Sequence, residues 1–377
     1  MTDLQVEMIA KQITEQPMAS QGTHAAVSSE DEELLKFLEQ TKPKIFVVGA
    51  GGSGTNTITR LFESGIADVK IVAMNTDVQH LVKVKADKKI LLGKTVTKGL
   101  GAGSNPSVGE ASAKESIQEI KKVLDGSSMV FVTCGMGGGT GTGSAPLISD
   151  QARISGALTI GVVTLPFKSE GKQRMMNALD GLQKLQKSCD TVIVIPNDKL
   201  LSIVPDLPLN TAFKVSDQVL SSAVKGIAEL ITKAGLVNLD FADLRTILTD
   251  AGCAVVGMGE SSSDAKPEQR ALIAIETALN SPLLDVNIAG ASRALINVSG
   301  GEDMTLKEAE LMVSEVSKRI SPESHIIWGA RIEPNLPRNV LRVLVVIAGA
   351  KLPQYDKKML EGMEEVRLED LDLDLIA

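Results

Sequence analysis

The sequence predicts an α/β protein: a mainly parallel sheet covered on both faces, then a long central helix and a second, smaller α+β part. Three observations carry this. Between residues 44 and 197, apolar stretches of strand length alternate with helical patterns, and continuous apolar strands with helices between them make a parallel sheet buried on both faces. From about 211 to 233 a helical pattern has more apolar positions than one stripe needs, as in a helix buried on several sides. Beyond it the strands come in another rhythm, with only two helices among them.

Residues 1–40 read as a polar arm ending in a short helix from Ser28, acidic in its first turn, with Leu34, Leu35 and Leu38 on one face. Lys42-Pro43 stops it. In the first domain, 41–209, the strands are "KIFVV", "VKIVAM", "KKILL", "SMVFVTC", "LTIGVVTLP" and "DTVIVIP". Helical patterns lie between them at 55–65, 108–126 and 171–188. The central helix, 210–235, carries Phe213, Val219, Ala223, Val224, Ile227 and Ile231, with Gly235 as a natural residue just past its end. In 236–350 the strands "AVVGMG", "RALINVS", "HIIWGAR" and "VLRVLVVIA" enclose helices beginning at Pro267 and Thr305. Thr305 and Glu308 form a capping box, with Leu306, Ala309, Val313, Val316 and Ile320 as the buried face. Residues 351–377 read as a flexible acidic tail, its end alternating leucines with acids.

The chain has 377 residues, a formal charge of −8 and 2% aromatics. A nucleic-acid binder would want a basic footprint and stacking rings, so that class is excluded. Cys134, Cys189 and Cys253 lie far apart and read as small buried apolar residues; His24, His80 and His325 are equally scattered, against a histidine metal site. The N-terminus has no signal-peptide pattern, and the longest apolar run, "VLRVLVVIAGA", is too short for a bilayer and carries Arg342. The expectation is a cytoplasmic protein without direct membrane insertion.

Three glycine-rich loops follow strands: "GAGGSGTN" (49–56), "GLGAGSNP" (99–106) and "GMGGGTGTGSAP" (135–146). Gly49, Gly51 and Gly54 fit the G-x-G-x-x-G fingerprint, and Asp77 follows the next strand where a ribose-binding acid is expected. Alone, this allows a dinucleotide-dependent oxidoreductase. The third loop, richer than the first, points instead to a nucleoside triphosphate. Its glycines let backbone N–H groups converge on anionic oxygens, a helix starting near Ala145 would add its dipole, and Thr140 and Thr142 can donate hydroxyls. No Walker lysine is present, so backbone dipoles and Mg2+ must meet the charge.

Phe213 and Asp217 stand at i and i+4 on the central helix, where a ring can stack on a purine and a carboxylate can accept from guanine N1–H and the 2-amino group. Asn197, at a strand's end, can reach the same base or simply form a turn. Glu170 and Arg174 could meet ribose and phosphate or be an ordinary surface pair. Asn238, Asp240 and Asp243 lie at a helix start, where the acids could cap the helix or polarise a water; nothing in the spacing decides.

"GGGTGTGSAP", "GAGGSGTN", "MNTD", "GLGAGSNP", "IPNDKL" and "NLDFAD" occur in this order in one chain. Together they make it resemble the tubulin/FtsZ family from about 44 to 350. The resemblance implies a GTP-binding domain of that type, a C-terminal domain, and head-to-tail filaments of the division ring that hydrolyse GTP between subunits. By position, Gly51, Gly52, Ser53, Gly54, Thr55, Asn56, Asp77, Ala102, Gly103, Ser104, Gly138, Gly139, Thr140, Gly141 and Thr142 match the nucleotide loops. Glu170 and Arg174 match ribose and phosphate contacts, and Asn197, Phe213 and Asp217 the guanine contacts. Asn238, Asp240 and Asp243 match the catalytic loop that one subunit inserts into the next. GTP or GDP with Mg2+ held mainly through the nucleotide, a homopolymer and a membrane adaptor on the tail are implied as ligands and partners. The arm before Ser28 is longer than the family core, the tail differs from the short bacterial adaptor-binding peptide, and Leu165 precedes Pro166 in a varied "TLPFKSEG".

Overall fold

Ile45–Ala50 (β1) is buried along its whole length, as a strand covered on both faces must be. In the computed structural model, which describes Phe37 and residues 42–203, 208–284 and 286–349 apart from 234, 238 and 335, it is the middle of a parallel array. Val69–Asn75 (β2), Lys88–Leu91 (β3), Met129–Gly135 (β4), Leu158–Leu165 (β5) and Thr191–Pro196 (β6) complete that array in the order β3-β2-β1-β4-β5-β6. The strand order reverses beside β1, so a crevice opens at the carboxyl ends of β1 and β4.

The remaining strands extend the same sheet. Gly252–Glu260 (β7) pairs in parallel with β6 through three residue pairs, Thr191, Val192 and Ile193 against Gly252, Cys253 and Ala254. Leu341–Ala348 (β10) then runs antiparallel between β7 and Arg293–Gly300 (β8), and His325–Ile332 (β9) lies parallel to β8. Among the described residues, ten strands make one sheet.

Alternating side chains send the strands into separate cores. Val47, Phe131, Ile160 and Ile193 pack with Ile58 and Leu61 of Gly51–Glu63 (α1) and with Leu220, Val224 and Ile227 of Leu209–Thr232 (the central helix, α8). Leu295 and Leu344 from β8 and β10 join that cluster, so the central helix packs on both halves of the sheet. Phe46, Val48, Val130 and Val132 face the other way, onto Pro106–Glu115 (α3), Ile117–Leu124 (α4), Thr140–Ile154 (α5) and Lys172–Ser188 (α6). Beyond β7, Val255, Ile296 and Val345 pack with Pro267–Leu279 (α10) and Leu306–Ser317 (α11). Val78–Lys83 (α2), Asn197–Ile203 (α7) and Phe241–Leu248 (α9) are short connecting helices.

All ten expected strands are present. Helix boundaries differ in four places and one helix face differs in its buried residues. α1 begins at Gly51 rather than Thr55, and α5 at Thr140 rather than near Ala145. The helix expected over 108–126 is two helices broken at Ser116, whose φ of −92° and ψ of 11° end one and start the other. The central helix ends at Thr232 with Lys233 extended, and Gly235 is not a left-handed cap. Gly235 is instead a close approach: a Cβ there would lie 2.5 Å from the Ala330 carbonyl oxygen. Leu306 is 61% exposed; Met312, fully buried, takes its place on the inner face of α11, while the Thr305–Glu308 capping box forms. Cys134 and Cys189 are buried, Cys253 only partly. The arm, the expected helix from Ser28 apart from Phe37, and the tail lie outside the described residues.

Candidate nucleotide site

At the carboxyl ends of β1, β4, β5 and β6 lies a cavity of about 430 Å³. Its first wall is the start of α1. Gly51 has φ +71°, and a Cβ there would sit 2.8 Å from the Gly141 backbone nitrogen, so only glycine turns β1 into the helix at this point. Gly49 and Gly54 act differently: a Cβ on Gly54 would lie 2.3 Å from the Thr133 carbonyl oxygen, so these two let α1 lie close against β1 and β4.

The second wall is the start of α5. Gly138, Gly139, Thr140 and Gly141 line the cavity where Gly51, Gly52 and Ser53 of α1 also line it. Two helices of 13 and 15 residues thus begin at one hollow, where their unpaired N–H groups and dipoles favour an anion. Ser104 reaches the same hollow from a loop in which Gly103 and Ser104 both have φ +57°. For Ser104, a non-glycine, this is a strained conformation, one that clusters where a loop must clamp a ligand.

The third wall carries an aromatic ring and two buried polar side chains. Phe213 is 38% exposed on the cavity side and meets Phe167 edge-on, centroids 5.2 Å apart. Asp217, buried, accepts from Ser53 Oγ at 3.2 Å, and burial pushes its carboxyl up to about 6, with Ser53, Arg60 and Thr57 opposing. Asn197, also buried, accepts from Ser216 Oγ at 2.7 Å. At the rim Arg174 pairs with Glu170 at 2.8 Å, while Glu170 also accepts from the Phe167 N–H at 2.8 Å.

Several expected residues support this cavity without lining it. Thr142 is buried and its hydroxyl accepts from the Gly137 N–H at 2.8 Å, so it braces the loop instead of facing a phosphate. Thr55 donates to the Gly51 carbonyl at 2.7 Å, and Ala102 is packed under Gly139. Gly54 and Gly103 also stand outside the lining. Asp77 is the N-cap of α2, accepting from the His80 N–H at 3.1 Å, and does not line the cavity either.

The two acids lie elsewhere. Asp240 is the N-cap of α9 and accepts from the Asp243 N–H at 2.7 Å; both residues are exposed. Arg245 of the same helix donates to the Gly156 carbonyl at 2.9 Å, just before β5 begins. α9 therefore sits at the amino ends of the parallel strands, whereas the cavity sits at their carboxyl ends. β5 has eight residues, so the two places are roughly 25 Å apart. Asn238 lies outside the described residues.

Residues 44–205 match the model of the tubulin/FtsZ family, GTPase domain, and residues 252–351 that of the FtsZ family, C-terminal domain. Cell division protein FtsZ 1 of Methanocaldococcus jannaschii is 58% identical over 325 residues, covering 86% of this chain and 88% of that one. The chain belongs to the FtsZ family. FtsZ 1 of Thermococcus kodakarensis is 53% identical over 362 residues, covering 95% of each chain. A solved M. jannaschii FtsZ, an empty dimer, matches with a TM-score of 0.81 at 58% identity over 85% of this chain and 92% of that one. CetZ1 of Haloferax volcanii, a GDP-bound monomer, shares the fold, with a TM-score of 0.73 at 21% identity over 84% of this chain and 98% of that one.

As a member of the FtsZ family the chain is a GTPase of cell division. The oxidoreductase that the first glycine loop allows is thereby set aside. Sequence reasoning did not single out Ala50, Gly135, Met136, Thr164, Pro166 or Ser216 as site residues, and all six line the cavity. Five of these lie at or just beyond a strand's carboxyl end, a position that could have nominated them; Ser216 could have been found only from its place beside Asp217.

Proposed function

We propose that the chain binds GTP in this cavity and hydrolyses it only where a second copy docks, in a head-to-tail filament at the division site. The observation carrying this is the separation between the cavity and Asp240 and Asp243. A pair of exposed acids at the opposite end of the sheet cannot serve the cavity of its own molecule, but it can serve a neighbour's. Such a contact joins unlike surfaces, and when it does not close on itself it generates a filament.

In this reading residues 41–209 hold the nucleotide, 210–235 form the central helix and 236–350 present the acids. Backbone amides of Gly51–Ser53 and Gly138–Gly141 hold the phosphates, Arg174 neutralises charge at the rim, and Glu170 orients Arg174. Phe213 stacks on guanine while Asn197 and Asp217 read its edge. Asp240 and Asp243 of the adjoining copy, with Asn238, orient the attacking water and accept its proton, while fixed amide dipoles stabilise the charge on the transferring phosphoryl group. Among the described residues no cluster of histidine, cysteine or carboxylate side chains could hold a metal ion. Mg2+ would be held mainly through the phosphates, with the Thr140 hydroxyl in the cavity lining able to assist, and would supply further charge neutralisation. The tail, with Leu371, Leu373, Leu375 and Ile376 as apolar anchors among acids, is the segment proposed for a membrane-adaptor protein.

The test is turnover per molecule against protein concentration. A rise from near zero in dilute solution is expected. A constant value down to concentrations at which light scattering detects no assembly would overturn the shared site.

A further inference from the structure

Ser216 stands between Phe213 and Asp217 in the first turns of α8 and is only 3% exposed. Its hydroxyl donates to Asn197 Oδ1 at 2.7 Å, a bond between two buried side chains. With Oδ1 engaged, the amide has its NH2 group left for the cavity. Asp217 is held similarly: Ser53 Oγ donates to Oδ1 at 3.2 Å, leaving Oδ2 as an acceptor. The wall thus offers one donor and one acceptor. Guanine complements that pair through O6 and through N1–H with the 2-amino group. Adenine reverses the six-position, with an amino donor and a bare N1.

We infer that Ser216 is a positioning residue that sets base choice by holding the Asn197 amide donor-side toward the base. The inference rests on the reading of Asn197 and Asp217 as guanine contacts. The two ends of a primary amide are nearly equal in size, so without Ser216 the group can turn over and accept from the adenine 6-amino group instead.

Nucleoside diphosphates test this on the full chain, dilute enough to stay unassembled, by competition against a fluorescent GDP. GDP, IDP and ADP are compared for the unaltered protein, Ser216→Ala, Ser216→Thr and Asn197→Ala. Ser216→Ala is expected to weaken GDP by about threefold to tenfold, the scale of one neutral hydrogen bond. It should cut the preference for GDP over ADP further, and Ser216→Thr should restore both. The preference for GDP over IDP should not move, because those bases differ only at the 2-amino group, which faces Asp217. A parallel fall in the GDP-over-IDP preference would mean general distortion and overturn the inference. An unchanged GDP-over-ADP preference in Ser216→Ala, with that preference lost in Asn197→Ala, would overturn the positioning role alone. The same preference unchanged in Asn197→Ala would overturn the base-reading assignment beneath it.

Discussion

Asp217 carries the most pH-sensitive consequence of the site. Burial pushes its carboxyl up to about 6, and in the proposed reading it must be ionised to accept from guanine. GDP affinity is therefore expected to fall as pH drops below about 6, approaching tenfold per pH unit. In Asp217→Asn this dependence should be flat and the affinity lower; a fluorescence titration from pH 5 to about 8 checks both. The linkage to folding has the opposite sense. An acid with a raised native pKa favours the fold at low pH, and that contribution is lost as pH rises through about 6. Ligand-free Asp217→Asn should thus be more stable at neutral pH, by up to about 3 kcal/mol, in urea unfolding. Gly54 gives a second prediction. A Cβ there meets the backbone oxygen of Thr133 at 2.3 Å, which cannot swing aside, so Gly54→Ala should cost about 3 kcal/mol and lower the melting temperature. The i, i+4 spacing of Phe213 and Asp217 made it legible in the sequence that the two share one face, and both line the cavity. Thr142 was not legible as a brace, because its partner is the N–H of Gly137, in a turn at φ +99°.

Helices and strands were legible to different degrees, for a physical reason. Most strands contain a block of apolar residues, a pattern that packing enforces. The starts of α1 and α5 are glycine-rich and read as loop, since isolated glycine weakens a helix. Here the close contact of the two helices with each other and with β1 and β4 excludes larger residues, and packing outweighs propensity. Pro146, best tolerated in a first turn, moves the apparent start of α5 toward Ala145, yet it lies inside the helix. α11 shows the reverse case, in which local signals suffice. Thr305 and Glu308 cap it reciprocally, and Arg270, 3% exposed, ties α10 to Glu308 and Asp303. Thr305→Ala is expected to cost about 1 kcal/mol. Arg270→Ala, which leaves Glu308 without its cation, should cost about 3–5 kcal/mol. Thermal unfolding that ranks the two the other way round would refute this account of the helix pair.

At the scale of the molecule, the second half of the sheet is attached to the first by three residue pairs and by the central helix. Asp240 and Asp243 belong to the far side of that arrangement, and their helix-start spacing fits capping and catalysis equally. Only the structure puts them at the amino ends of the strands. Mixing separates the two roles. Asp243→Ala should bind GTP but lose about 100-fold or more of its turnover. Gly51→Ala, in which the added carbon strikes Gly141, should fail to hold nucleotide. Combined, the two are expected to recover measurable phosphate release, since an intact cradle from one can meet intact acids from the other. If sedimentation finds both variants in the same filaments while no phosphate is released, the division of labour is wrong.

On the proposed reading, a body with its cradle at one pole and its acids at the other has a direction, and a row of such bodies inherits it. One terminal molecule then exposes a filled cradle that nobody completes, while the opposite terminus exposes acids with nothing to act on. In a row built on the proposed contact, one fewer catalyst works than there are members, and the leading member is expected to keep an intact triphosphate until the next arrival.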